Sequence, residues 1–217
     1  MAYKAVVFDL DGTLVHTTPE YRYLIVGQTL KDLGAISSNH HIDRFWFEAR
    51  RDEIIIKDFK LEPELFWQTF RKNDAPELRK QFTKPYNDID FLDELRQKDY
   101  KTGIVTGAPI NIASLEIEML DKNNFDAIII AHTSNGFKPK PHKHGLEECL
   151  NLLKINKDEA IYVGNSNEDV ETARNAQVFD VFLERGEYKF LDINPSLRIY
   201  SLYDLRQLLG ITGNSNS

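Results

Sequence analysis

Two carboxylates stand close together near the start of the chain, in Ala5-Val-Val-Phe-Asp9-Leu-Asp11-Gly-Thr13-Leu14. The apolar run Ala5 to Phe8 has the composition of a buried strand, and Gly12 breaks it into a loop. Strand side chains two apart project to the same side, so extended geometry would hold Asp9 and Asp11 close. Two acids that close repel unless a cation lies between them. Asp and Gly are also ordinary turn formers, so the pair gains meaning from what else meets it. Three further stretches qualify: Thr106-Gly107, Lys138-Pro139-Lys140-Pro141 and Gly164-Asn165-Ser166-Asn167-Glu168-Asp169. Carboxylates and an amide oxygen suit a hard divalent cation such as Mg2+, which takes oxygen ligands while keeping waters. A hydroxyl and a free backbone N–H after a strand suit phosphate oxygens, as does an ammonium.

The elements that must position these groups follow from the pattern between them. Lys101 to Val105, Ala127 to Ala131, Ala160 to Val163, Val178 to Leu183 and Arg198 to Tyr200 have strand composition. Between them, helices are expected over Asp90 to Lys98, Ile110 to Asn123, around Leu146-Cys149-Leu150-Leu153, and over Asp169 to Ala176. Such alternation predicts a mostly parallel sheet with helices on both faces. All carboxyl ends of its strands then share one edge, where ligands bind and where the four polar stretches converge. Ser201-Leu-Tyr-Asp204 resembles a capping box that opens a last helix stopped by Gly210, and residues 211–217 are expected to be a disordered tail.

Residues 16–84 differ in character. Tyr21, Leu24, Ile25 and Leu33 suggest one helix, and Ile42, Phe45, Trp46 and Ala49 a second. Pro63 opens a third, with Leu65, Phe66 and Phe70 on one face, and Asp74 with Pro76 opens a fourth. Ile54-Ile55-Ile56 is the one β-like patch and fits none of them. A small helical domain inserted after the first strand is the expectation, with 1–15 and 85–210 forming the α/β core.

At 217 residues, with 41% hydrophobic and 28% charged, the chain can bury such a core. Its net charge of −7 argues against a nucleic-acid backbone as main partner, yet leaves room for a local basic pocket. Cys149 is the only cysteine, which excludes an internal disulfide and a cysteine zinc cage; its helical face makes it a core thiol. Met1-Ala-Tyr-Lys enters the first strand directly without room for a signal peptide, and no apolar run is long enough to span a bilayer. A cytoplasmic protein with no membrane partner is expected.

The four ordered stretches resemble the motifs of the haloacid dehalogenase superfamily, closest to its phosphoglycolate-phosphatase-like and phosphomutase-like members. The resemblance covers residues 4 to about 185 and implies a Rossmann-like core with a helical cap at 16–84. It further implies a Mg2+-dependent phosphatase acting on a small phosphorylated metabolite, as a monomer or homodimer. Asp9 would be the nucleophile, forming an aspartyl-phosphate, and Asp11 the acid and then base. Thr106 and the Gly107 N–H would hold phosphoryl oxygens, and Lys138 would neutralise charge, with Lys140 taking that role if the register is shifted by two. Asp9, the Asp11 carbonyl, Asn165 and Asp169 would hold the metal. An acid at position 11 favours phosphoryl transfer, since a halide leaving group needs no proton.

Three positions depart from the family pattern. Asn165 stands where most such phosphatases have Asp, and brings an oxygen without a charge. Weak metal binding, or a retired enzyme that only binds phosphate, is the alternative this raises, beside a phosphomutase. Gln177 replaces a frequent Gly, which implies altered loop geometry. His16 stands where many members have an acid, at the entry to the cap. Arg50, Arg51, Lys57, Tyr21 and Trp46 are candidates for substrate selection there. The pairs His40-His41 and His142/His144 lie in polar stretches without a second acid cluster and are expected at the surface.

Overall fold

The computed structural model describes residues 2–211. In chain order its elements begin with strands β1 (Ala5–Phe8) and β2 (Val15–Thr17). Helices α1 (Pro19–Asp32), α2 (Asn39–Phe47), α3 (Arg51–Ile54), α4 (Pro63–Asn73) and α5 (Pro76–Lys80) come next, then β3 (Thr83–Pro85). After these come α6 (Phe91–Gln97), β4 (Lys101–Thr106), α7 (Ile110–Ile117), β5 (Ala127–Ile130), α8 (His144–Leu153), β6 (Ala160–Gly164), α9 (Asn167–Ala176), β7 (Phe179–Leu183), β8 (Leu197–Ile199) and α10 (Leu205–Leu209). The described residues divide into two compact units: 2–15 with 85–211, and 16–84.

The two-segment unit is built on a parallel six-stranded sheet in the order β5-β4-β1-β6-β7-β8. Its strands alternate sides along their length, and the two faces bury different sets. Val6, Phe8, Ile104, Ile161, Val163, Val181 and Leu183 pack with Phe91 and Leu95 of α6, Ile117 of α7 and Leu205 of α10. Ala5, Val7, Val105, Ile129, Ala160 and Tyr162 pack with Leu146, Cys149 and Leu153 of α8 and Ala173 of α9. β1 lies at the centre, flanked by β4 and β6 in register, with Phe8 opposite both Ile104 and Val163. A strand buried on both faces reads as the continuous apolar run seen in the sequence.

Several boundaries differ from expectation. The helix expected to Asn123 ends at Ile117. There the chain tightens into a turn, and the Asp121 carboxylate accepts the Asn123 N–H (3.0 Å) in place of a helical carbonyl. Ile211, assigned to the tail, is buried in the core and donates its N–H to Arg206 (2.9 Å); residues 212–217 lie outside the described residues. Ser201 and Asp204 do form a reciprocal cap, and Gly210 ends α10 in the left-handed region at φ +65°. Gln177 takes the same conformation at φ +58° after α9, the one a Gly would adopt there, so the altered loop geometry expected of the replacement is not seen.

The unit 16–84 is mostly helical around an aromatic core in which Phe45, Phe59, Phe66 and Phe70 pack with ring centroids 5.0–5.9 Å apart. Ile54-Ile55-Ile56 is helical, passing from α3 into a π-helical turn that buries Ile54 and Ile55 and exposes Ile56. The expectation of helices throughout missed β2 and β3, which pair with each other at the two ends of the insert. The Thr17 and Thr83 hydroxyls meet there at 2.9 Å.

Gly103 of β4 is tightly packed: a Cβ there would stand 2.6 Å from the Cys149 sulfur. Gly103→Ala is expected to cost about 1–3 kcal/mol by overpacking. In a urea-denaturation double-mutant cycle, combining it with Cys149→Ala should recover part of that loss.

Candidate active site

β1 does not stop at Phe8. The Asp9 N–H still donates to the Val163 carbonyl at 2.9 Å, so Asp9 keeps the strand alternation and shares the side of Ala5 and Val7. The chain then folds into a tight turn in which Leu10 accepts the Leu14 N–H (2.9 Å) and Val15 the Gly12 N–H (2.6 Å). Gly12 is required twice over. Its φ is +81°, and a Cβ would fall 2.1 Å from Asn165 Nδ2. The Thr13 hydroxyl lies 3.2 Å from Asp9 Oδ2 and 3.3 Å from Asn165 Oδ1, joining the first motif to the fourth. Asp11 is half-buried on this turn, bridged to Val15.

The lysine that reaches these acids is Lys140. Its Nζ stands 2.6 Å from Asp9 Oδ1 and 2.7 Å from Asp169 Oδ1, with the side chain 8% exposed. This corrects the choice of Lys138, which is exposed and directs its backbone N–H at His144 Nδ1 (3.4 Å). Asn175 of α9 explains the register: its Nδ2 donates to the Pro141 carbonyl at 2.8 Å and seats the end of the loop beside the acids.

Asp169 has both carboxylate oxygens committed. Oδ2 accepts the Ser166 hydroxyl (2.6 Å) and N–H (3.1 Å), while Ser166 Oγ accepts the Asp169 N–H, closing a capping box at the start of α9. Oδ1 faces Lys140 and lies 3.2 Å from the Tyr162 hydroxyl. Gly164 leaves the room this needs, since a Cβ there would sit 2.3 Å from the Asp169 carboxyl carbon. Asp169 therefore positions Lys140 and α9.

The electrostatics follow from burial. Burial pushes the Asp9 carboxyl up to about 7; the Asp169 and Asp11 charges add to this and Lys140 opposes it. Burial works against the Lys140 ammonium too, but the two carboxylates outweigh it and hold its pKa well above the usual range. The Tyr162 phenol is raised, first by burial. Lys140 is thus a fixed cation, and Asp9 a carboxylate whose charge the fold holds at a cost.

Thr106 ends β4 at the same sheet edge and is buried; its hydroxyl accepts the Ala108 N–H at 3.1 Å, leaving its own hydrogen to donate. Gly107 beside it is exposed, with open space where a side chain would be. Asp9 Oδ2 and Asn165 Oδ1 converge on one hydroxyl, and as hard oxygens they fit a divalent cation in kind, with a single carboxylate charge. Among the described residues no three His, Cys, Asp or Glu side chains gather as a metal site, the paired histidines included. Thr13 and Tyr162 join the site without having been singled out in sequence. A tyrosine inside an otherwise aliphatic strand was the available signal for the second.

Residues 6–182 match the family model described as haloacid dehalogenase-like hydrolase. Pyrophosphatase PpaX of Halalkalibacterium halodurans is 26% identical over 97% of this chain and 99% of its own length. A phosphoglycolate phosphatase of Aquifex aeolicus is 25% identical over 95% of this chain and 96% of its own. Among solved structures, an HAD phosphatase from Thermococcus onnurineus superimposes with a TM-score of 0.68 at 26% identity, covering 95% of this chain and 98% of that one.

Asp9 yields a stability prediction for metal-free protein. Its folded-state value, about 7, lies well above the ordinary carboxylate range, so the fold binds this proton more tightly than the unfolded chain does. Asp9 therefore subtracts stability increasingly as pH rises from about 4 to about 7. Asp9→Asn removes that charge and should raise the Tm of metal-free protein at pH 8, with the gain vanishing near pH 4. Scanning calorimetry at both pH values reads it.

Proposed function

Because this chain belongs to the haloacid dehalogenase-like hydrolase family, we propose that it is a Mg2+-dependent phosphatase that hydrolyses a small phosphomonoester through an aspartyl-phosphate on Asp9. The observation that carries this reading is Asp9 itself. It is a nearly buried carboxylate at the carboxyl edge of the sheet, with one oxygen on the Lys140 ammonium and the other beside Thr13, near Asn165.

In the first step Asp9 attacks phosphorus, a carboxylate–phosphorus bond forms, and the ester P–O bond breaks as Asp11 donates a proton to the leaving oxygen. In the second, Asp11 takes a proton from water, which attacks phosphorus and returns Asp9 as a carboxylate. Lys140 stays charged throughout and neutralises part of the charge on the phosphoryl oxygens. The Thr106 hydroxyl and the Gly107 N–H supply donors to the remaining oxygens. Asp9, Asn165 and the Asp11 carbonyl would hold Mg2+, which when bound offsets negative charge between nucleophile and phosphate. Residues 16–84, as a cap, would select the substrate. Of the candidates there, Tyr21 is fully buried with its hydroxyl on Asp74 (2.6 Å), and Lys57 pairs with Glu53 (2.9 Å). Arg50 and Arg51 are exposed and Trp46 is half-buried. The named relatives make inorganic pyrophosphate and phosphoglycolate the first compounds to assay.

Hydrolysis of an aryl phosphate should require magnesium and be abolished by Asp9→Asn. Lys140→Met should lower kcat by about 10²–10³, while Lys138→Met stays within about twofold, as for a solvated charge. The reverse ranking of the two lysines would sink the assignment.

Asn165 supports a second reading, a retired enzyme that binds phosphate without turnover, because its amide adds no charge for a cation. Asn165→Asp should tighten Mg2+ about tenfold by calorimetry. A wild type that binds no magnesium and hydrolyses nothing, beside an Asp variant that does both, would establish the retired reading instead.

A further inference from the structure

Arg185, just past β7, reaches a backbone group of the Asp9–Thr13 turn. Its side chain is 8% exposed. Nη1 and Nη2 form a fork on the two oxygens of Asp88, at 2.8 and 3.0 Å, and the same Nη2 donates to the Thr13 carbonyl at 2.7 Å. The guanidinium lies over the Tyr86 ring, 3.8 Å from its centroid. Tyr86 in turn donates its backbone N–H to the Leu14 carbonyl at 3.0 Å. Two successive carbonyls at the exit of the turn are thus held by two residues stacked on one another. Asp88 is braced from behind by the Ser201 hydroxyl (2.9 Å) and the Leu202 N–H (2.8 Å).

Stability alone is a poor reason for this arrangement. A buried ion pair costs the desolvation of both charges, and an apolar pair of similar volume often does as well. Arg185 also leaves its Nε buried without a partner. What the arrangement does deliver is a rigid exit for the turn that carries Asp11. The Tyr86 hydroxyl in turn donates to Glu187 at 2.6 Å, which fixes the ring on which the guanidinium stacks.

We propose that Arg185, braced by Asp88 and stacked on Tyr86, is a positioning residue for Asp11, fixing the turn so that the Asp11 carboxyl meets the leaving-group oxygen. The inference rests on the phosphatase reading above. Its signature is selective: proton donation matters for a basic alkoxide leaving group and hardly at all for an acidic phenolate.

The test compares kcat/KM, which stops at transfer to Asp9, for propyl phosphate and dinitrophenyl phosphate with magnesium present. Arg185→Met should lose about 100-fold on propyl phosphate, the scale of a misplaced catalytic group. It should stay within about threefold on dinitrophenyl phosphate. If that variant fails to fold, Arg185→Lys, which keeps the charge facing Asp88 but not the fork, should show the same selectivity with a smaller loss. Equal losses on both esters, or none on either, overturn the positioning role while leaving the phosphatase reading intact. A wild type inactive on both esters removes that reading and this inference with it.

Discussion

One ammonium group holds the site together. Lys140 lies between Asp9 and Asp169, two carboxylates that would otherwise face each other in a buried space. Neither acid could stay charged there alone, and a buried lysine without them would lose its proton. The trio constrains its surroundings. Asp169 must approach β6, so residue 164 has no side chain. The loop carrying Lys140 must be pinned, so Asn175 holds Pro141. The same carboxylate that holds the lysine also begins α9. Charge balance, helix capping and strand packing meet at one residue, and replacing Asp169 would disturb all three.

The trio is incomplete as a neutral set: one cation faces two acids, with Asp11 close behind. That residual negative charge is what a phosphatase requires for its cation, and what the fold tolerates at a cost in its absence. Asn165 reduces it. An acid at that position would add a further charge near Asp9, through the oxygen that now meets the Thr13 hydroxyl at 3.3 Å. An amide there relieves repulsion beside Asp9 and, on the proposed reading, would weaken attraction for a cation. One physical change thus underlies both readings of position 165.

The sheet, its parallel sense and the carboxyl-edge location of the polar stretches were legible because strands buried on both faces write themselves as apolar runs. Asp9 and Gly12 were legible for the same reason, standing where such a run breaks. The choice between Lys138 and Lys140 was not. Both lie in a loop without periodicity, and the deciding contact comes from Asn175, distant in sequence and unremarkable in type. Asp169 stands out in the sequence only as a carboxylate of the fourth polar stretch. Its commitment to Ser166 and Lys140 is a matter of which oxygen faces which donor, and residue identity does not encode that. Short β2 and β3 escaped notice because three-residue strands carry too little pattern to register.

The position of β1 at the middle of the sheet has a consequence for how the protein is made. Ala5 pairs with Lys101 on one side and Ala160 on the other. During synthesis, β1, which leads into Asp9, emerges before the other strands of its sheet and waits longest for its neighbours. Residues 16–84, whose core is drawn from that segment alone, are complete well before either partner strand exists. Pairings so distant in sequence carry a large loop-closure cost and form slowly. Until β6 leaves the ribosome, Ala5 to Phe8 is an apolar segment with one edge open, so the nascent chain is most exposed to misassociation through the strand that later lies at the centre of the sheet.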